Sequence, residues 1–100
     1  MKAHATNTAP GVCKAAADLV GGERAKTHGD ILEGAEHLAA IWTAHLNGRS
    51  VITALDVGLM LIDLKKVRVL HGAYNPDDFV DISGYGGFAG EVAARVEAGR

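Results

Sequence analysis

The sequence predicts an all-α fold: a bundle of four helices that assembles with copies of itself. Three observations predict it. Apolar residues recur at helical spacing and show no strand-like alternation. Helix stops fall at Gly21-Gly22, Asn47-Gly48 and Gly72, which leaves only short connections. Hydrophobic residues make up 48% of the 100 residues. A domain of this size builds only a thin core, so part of that apolar surface is expected to lie against another copy.

The elements follow in order. Residues 1–9 are small and polar without periodicity and read as a disordered leader, followed by a single helical domain over residues 10–100. Thr8 can cap a first helix, PGVCKAAADLV, that ends at Gly21-Gly22. A charged loop, GERAKTHGD, leads to Asp30, an N-cap for a second helix, ILEGAEHLAAIWTAHL. In that helix Leu38, Ile41, Trp42 and Leu46 fall at helical spacing. The third helix runs from about Thr53 to Leu70. Apolar residues surround it, which predicts a buried, central position. Asn75 and Pro76 open the fourth helix, DDFVDISGY continuing through GGFAGEVAARVEAG. Glycines at 84, 86, 87 and 90 weaken it, and close packing against another helix is their expected use.

Composition narrows the function. A net charge of -2 argues against a general nucleic-acid binder. No apolar run reaches the length of a membrane span, and the leader lacks the apolar core of a signal peptide. The single cysteine, Cys13, has no intrachain partner. These features predict a protein of a reducing cytoplasm with no membrane partner.

Carboxylates carry the chemical signal. Glu33 and Glu36 stand three apart on one helix face and can converge on a hard divalent cation. A pair of solvated surface acids has the same pattern. Asp56 has two readings, a metal ligand or the acidic member of a capping box begun by Thr53. Asp63 lies about 10 Å further along the same stripe, too far to share one ion, and pairing with Lys66 or with a basic residue of a neighbour is its expected role. Lys65, Lys66 and Arg68 suit either a helix C-terminus or a phosphate grip. Asp77 and Asp78 compensate the dipole of the fourth helix, whereas Asp81, one turn on with Tyr85 near its face, is less easily explained that way. Arg24, Lys26 and His28 precede a helix N-terminus, a place that favours anions. No phosphate loop and no nucleophile elbow is present.

In this order the segments ERAKTHGD, LEGAEHLAAIWTAHL, ITALDVGLMLIDLKKVR and DDFVDISGYGGFAGE resemble small phage and bacterial members of the MazG-like all-α nucleotide pyrophosphohydrolases, from about Leu19 to Val92. The resemblance implies a helical bundle forming a homodimer or homotetramer. It also implies hydrolysis of a nucleoside triphosphate to the monophosphate and pyrophosphate with Mg²⁺ or Mn²⁺. The family motif is ExxE, a spacer, then ExxD. Glu33 and Glu36 match its first half and Asp56 its last position, which implies that these three are catalytic and bind metal. Thr53 stands where the third Glu is usual, and Asp81 is the candidate to replace that ligand. Small phage-type relatives are also similar at Lys65, Arg68, Asp77, Asp81, Gly84 and Tyr85. Lys65, Arg68, Asp77 and Tyr85 are thereby implied in substrate binding, together with Arg24, Lys26 and His28. Asp63 replaces a usually apolar residue. The activity implied is turnover of a (d)NTP, a purine such as dGTP or dATP being the attractive choice, in nucleotide-pool control. The alternative is an inactive nucleotide-binding or regulatory module on the same fold.

Overall fold

The computed structural model describes residues 4–22 and 29–99. Among them the chain forms four α-helices and no strand. α1 spans Ala9–Gly21, α2 Ile31–His45, α3 Ala54–His71 and α4 Pro76–Ala98. Each begins where a polar side chain satisfies an orphan backbone N–H. Thr8 Oγ1 accepts from Gly11 N at 3.2 Å and Asp30 Oδ2 from Glu33 N at 3.0 Å. Asn75 Oδ1 accepts from Asp77 N at 3.0 Å, with Pro76 following it. After α2 the backbone turns through Asn47 and Gly48, both left-handed, with φ of 54° and 72°. Asn and Gly are the residues that tolerate this region. Ile52 N then donates to Thr43 Oγ1 at 2.9 Å, which pins the connection back onto the end of α2.

Residues 4–8 lie against α1. His4 Nε2 bonds Asp18 Oδ2 at 2.5 Å, and the Ala5 carbonyl lies where a Cβ on Gly11 would stand. The missing side chain at Gly11 therefore lets the leader cross the first turn of α1.

α4 is the central helix, and this corrects the expectation for α3. α4 packs on α1, α2 and α3, α3 packs on α2 and α4, and α1 packs on α4 alone. At 100° per residue, Val57, Gly58, Leu61 and Lys65 occupy the inner half of α3. Leu55, Leu59, Met60, Val67 and Leu70 occupy the outer half, Leu64 lies at the border of the two, and all six are 36–78% exposed. Apolar residues do surround α3, but only one side is covered within the chain. The core is correspondingly small-grained: Ala16, Ala35, Ala39, Val57, Val80, Ala89 and Val92. Trp42 and Leu38 are half-buried, whereas Ile41 and Leu46 are exposed.

The glycine that permits close helix packing is Gly58 of α3. A Cβ there would meet Ala89 Cβ at 2.9 Å and Phe88 Cδ1 at 3.0 Å. Gly86, Gly87 and Gly90, expected to have this use, face open space, and Gly84 meets only Val20 at ordinary contact distance.

Candidate functional site

α1 and α2 do not touch, and the space between them is a groove of about 380 Å³. Leu19 and Val20 form one wall, and Ile31, Gly34, Ala35 and Leu38 the other. Val57 and Leu61 of α3, with Asp81, Gly84, Tyr85 and Phe88 of α4, form the floor. The lining is apolar apart from a few polar groups, the usual character of a small-molecule site.

One of those groups is Asp81. Its Oδ2 lies 2.7 Å from Lys65 Nζ. Lys65 is only 9% exposed, so its ammonium needs a partner, and Asp81 supplies it across the α3–α4 contact. The two residues, one expected to grip phosphate and the other to bind metal, are thus brought together as an ion pair. Asp81 also belongs to the groove lining.

The acidic residues of the motif are placed differently. Glu33 and Glu36 are exposed and, among the described residues, neither carboxylate has a partner. Ile31, Gly34, Ala35 and Leu38 face the groove, so at 100° per residue Glu33 and Glu36 lie on the opposite face of α2. Asp56 serves the capping box: its Oδ2 accepts from Thr53 N at 2.9 Å, and Thr53 Oγ1 accepts from Asp56 N at 3.2 Å. Of the two readings of Asp56, the cap is therefore realised. Among the described residues no group of three or more His, Cys, Asp and Glu is placed to hold a metal ion. Glu33, Glu36, Asp56 and Asp81 are accordingly not gathered within one chain, because helix capping and the Lys65 pair engage two of them. Asp63 pairs with Lys66 at 3.1 Å, as its spacing predicts.

Arg68 lines a second depression of about 470 Å³ with His71, Asn75 and Asp78. Asp78 is 8% exposed, and its burial was not legible in a string that reads as dipole compensation. Its signal is the spacing of three residues to Asp81, which puts both on the inner face of α4. Asp77 is exposed on the first turn. Arg24, Lys26 and His28 lie outside the described residues.

The mouth of the groove is braced at Asp30. Arg95 Nη1 and Nη2 donate to the two Asp30 oxygens at 2.8 and 3.3 Å, a bidentate contact that ties the start of α2 to the end of α4. The Arg95 guanidinium, then the Glu33 N–H, hold the Asp30 carboxyl below its ordinary value.

Residues 11–93 match a protein family described as a domain of unknown function, DUF6378. The chain belongs to this family. It is also similar to two phage proteins, each called "Gene 55 protein". The one from Mycobacterium phage L5 is 39% identical over 72 residues, covering 72% of this chain and 46% of the relative. The one from Mycobacterium phage D29 is 33% identical over 69 residues, covering 69% and 44%. The chain thus spans a little under half the length of these curated relatives. No solved structure matches. Among the described residues, no helix is long and apolar enough to cross a membrane.

Proposed function

We propose that the protein is a homo-oligomeric, metal-dependent nucleoside triphosphate pyrophosphohydrolase of the phage-infected host cytoplasm, converting a (d)NTP to the monophosphate and pyrophosphate. The observation that carries this reading is the Glu33–Glu36 pair. These are two solvent-facing carboxylates, one turn apart, that serve no structural bond among the described residues. By contrast Asp30, Asp56, Asp63 and Asp81 each have a partner. Carboxylate oxygens suit Mg²⁺ or Mn²⁺, ions that keep water ligands and bind phosphates. Glu33 and Glu36 would hold the ion, and one chain does not complete the donor set, so a further oxygen comes from the substrate or from a neighbouring copy. The bound ion would neutralise phosphate charge and polarise the phosphorus under attack.

The groove takes the base. Its volume suits a nucleoside, its walls are apolar, and Tyr85 and Phe88 offer aromatic faces. A purine, as in dGTP or dATP, uses that surface best. Incubation with each common dNTP and NTP under Mg²⁺ and Mn²⁺, with separation of products, tests the reading. Monophosphate plus pyrophosphate, abolished by Glu36→Gln, is the expected result. Intact triphosphates under both metals would overturn it.

A second reading has its own observation. Thr53 and Asp56 close a complete capping box at the position where the motif has its second acidic pair. A chain that has diverted those residues to helix capping would bind nucleotide without turnover, as a regulatory module. Saturable binding with no product distinguishes it.

A further inference from the structure

We infer that the outer face of α3 is a two-fold interface with a second copy of this chain, in which two α3 helices pack antiparallel and Asp63 of each pairs with Lys66 of the other. The inference rests on the homo-oligomeric part of the reading above and not on hydrolysis.

Three observations lead to it. The first is the apolar face itself. Leu59, Met60, Leu64, Val67 and Leu70 are 42–78% exposed on one side of a single 18-residue helix. Scattered exposed leucines are ordinary, but a contiguous stripe along about 17 Å of helix marks an interface. The second is the poverty of the core. The fully buried side chains are alanines and valines, while Leu59, Met60, Val67 and Leu70 of α3 face out. Burying them requires another surface of the same character.

The third observation identifies that surface. Within the span of these five residues, the outer half of α3 carries two charges, Asp63 and Lys66. They sit midway along the stripe, Asp63 within it and Lys66 on its flank, and are 67% and 63% exposed as side chains. A heterologous apolar partner would have to cover this ion pair with no group to answer it. A second copy related by a two-fold axis does not. An antiparallel helix pair centred between Leu64 and Lys65 sets Asp63 opposite the other chain's Lys66, and Lys66 opposite its Asp63. The same register sets Leu59 opposite Leu70, so apolar residues flank the charges at both ends. Self-complementarity of this kind is what an isologous interface demands. The charges fix the register, since sliding the helices sets each Asp63–Lys66 pair against apolar side chains instead of against its counterpart. Asp63, an acid in a stretch of apolar residues, thereby acquires a role that its exposed pair with Lys66 at 3.1 Å does not supply.

The test uses charge reversal and mixing, read by light scattering coupled to size exclusion over a concentration series. The wild-type chain is expected to be a dimer or a multiple of one. Asp63→Lys and Lys66→Asp should each weaken association by about tenfold or more, because like charges then meet at the axis. Circular dichroism should show both variants folded. Mixing the two variants is the decisive arm. One presents only cations, the other only carboxylates, and neither has the internal ion pair, so a mixed dimer of wild-type strength should form. A monomeric wild type would overturn the inference together with oligomerisation. An oligomeric wild type whose association neither variant weakens, or variants that fail to associate on mixing, would overturn this face while leaving oligomerisation intact. Leu59→Lys, which places a cation on the apolar part of the stripe, should dissociate the wild-type dimer, and an unchanged oligomer would also overturn the inference.

Discussion

Removing the two partners of the Lys65–Asp81 pair one at a time should give unequal losses of stability. The side chains lie 2.7 Å apart but are unequally covered, with 11% of Lys65 exposed and 26% of Asp81. Asp81→Ala leaves the more deeply buried charge alone. Breaking a buried pair in this way costs about 3–5 kcal/mol, and the partial exposure of Asp81 places the expected loss near 3. Lys65→Met keeps most of the buried stem and leaves an aspartate that borders an open groove where water reaches it. Its expected cost is about 1 kcal/mol. The double variant Lys65→Met/Asp81→Leu removes both charges and retains volume, so it should lie within about 1 kcal/mol of the wild type. In a 100-residue domain each kcal/mol moves Tm by about 4–8 °C, which makes the three cases separable. Urea unfolding followed by Trp42 fluorescence, at one protein concentration, provides the free energies. If Asp81→Ala cost less than Lys65→Met, Lys65 would be finding water or another acceptor, and the account of its burial would be wrong.

Two further outcomes follow from the packing and the charges. Gly58→Ala should destabilise by about 1–2 kcal/mol, because the Cβ at 2.9 Å from Ala89 forces α3 off α4 and outweighs the gain in helix propensity. Gly87→Ala, in open space, should stabilise by about 0.5–1 kcal/mol, and thermal unfolding of the two variants measures both signs. The Asp30–Arg95 contact should show in the acid limb of stability. Asp30 has a lowered folded pKa, so its contribution is present above the ordinary carboxylate range and is lost as pH falls through it. The gap between wild type and Arg95→Met should therefore be constant above about pH 5 and close towards pH 3. A gap that persists at low pH would show that Arg95 acts through its packing alone.

Helix ends were the most legible part of this fold in the sequence. Thr8, Asp30, Thr53 and Asn75 announce their helices because a capping side chain satisfies backbone groups only a few residues away. Asp63 with Lys66 was legible for the same reason. What lay across helices was not. Periodicity shows that α3 is apolar all round, but it cannot tell which half the same chain will cover. Likewise the use of a glycine depends on what stands opposite, and Gly58 has Ala89 there while Gly87 has nothing. The Lys65–Asp81 bond joins two helices, and no spacing rule connects those positions. Asp56 shows the limit from the other side. Motif and cap predict the same residue, and only the two hydrogen bonds with Thr53 separate the readings.

In the proposed reading the two halves of the site stand on opposite sides of α2, so turnover would require assembly. Ile31, Gly34 and Leu38 face the groove, while Glu33 and Glu36 face away from it. A nucleotide whose base lies in the groove has the body of α2, about 10 Å across, between itself and the acids of its own chain. Phosphates reach a metal-binding pair only if another copy presents its outer α2 face to the mouth of this groove. Binding and hydrolysis should then separate in a dissociated variant. Asp63→Lys changes no residue of the groove and neither glutamate, so its affinity for a purine nucleoside should stay within about twofold of the wild type. Its hydrolysis of triphosphates should fall with dissociation, by about tenfold or more at a concentration where the wild type remains associated. Addition of Lys66→Asp should restore turnover as the mixed dimer forms. Full activity in a chain shown to be monomeric during the assay would mean that one chain closes the whole site, and that the placement of Glu33 and Glu36 described above does not persist when substrate binds.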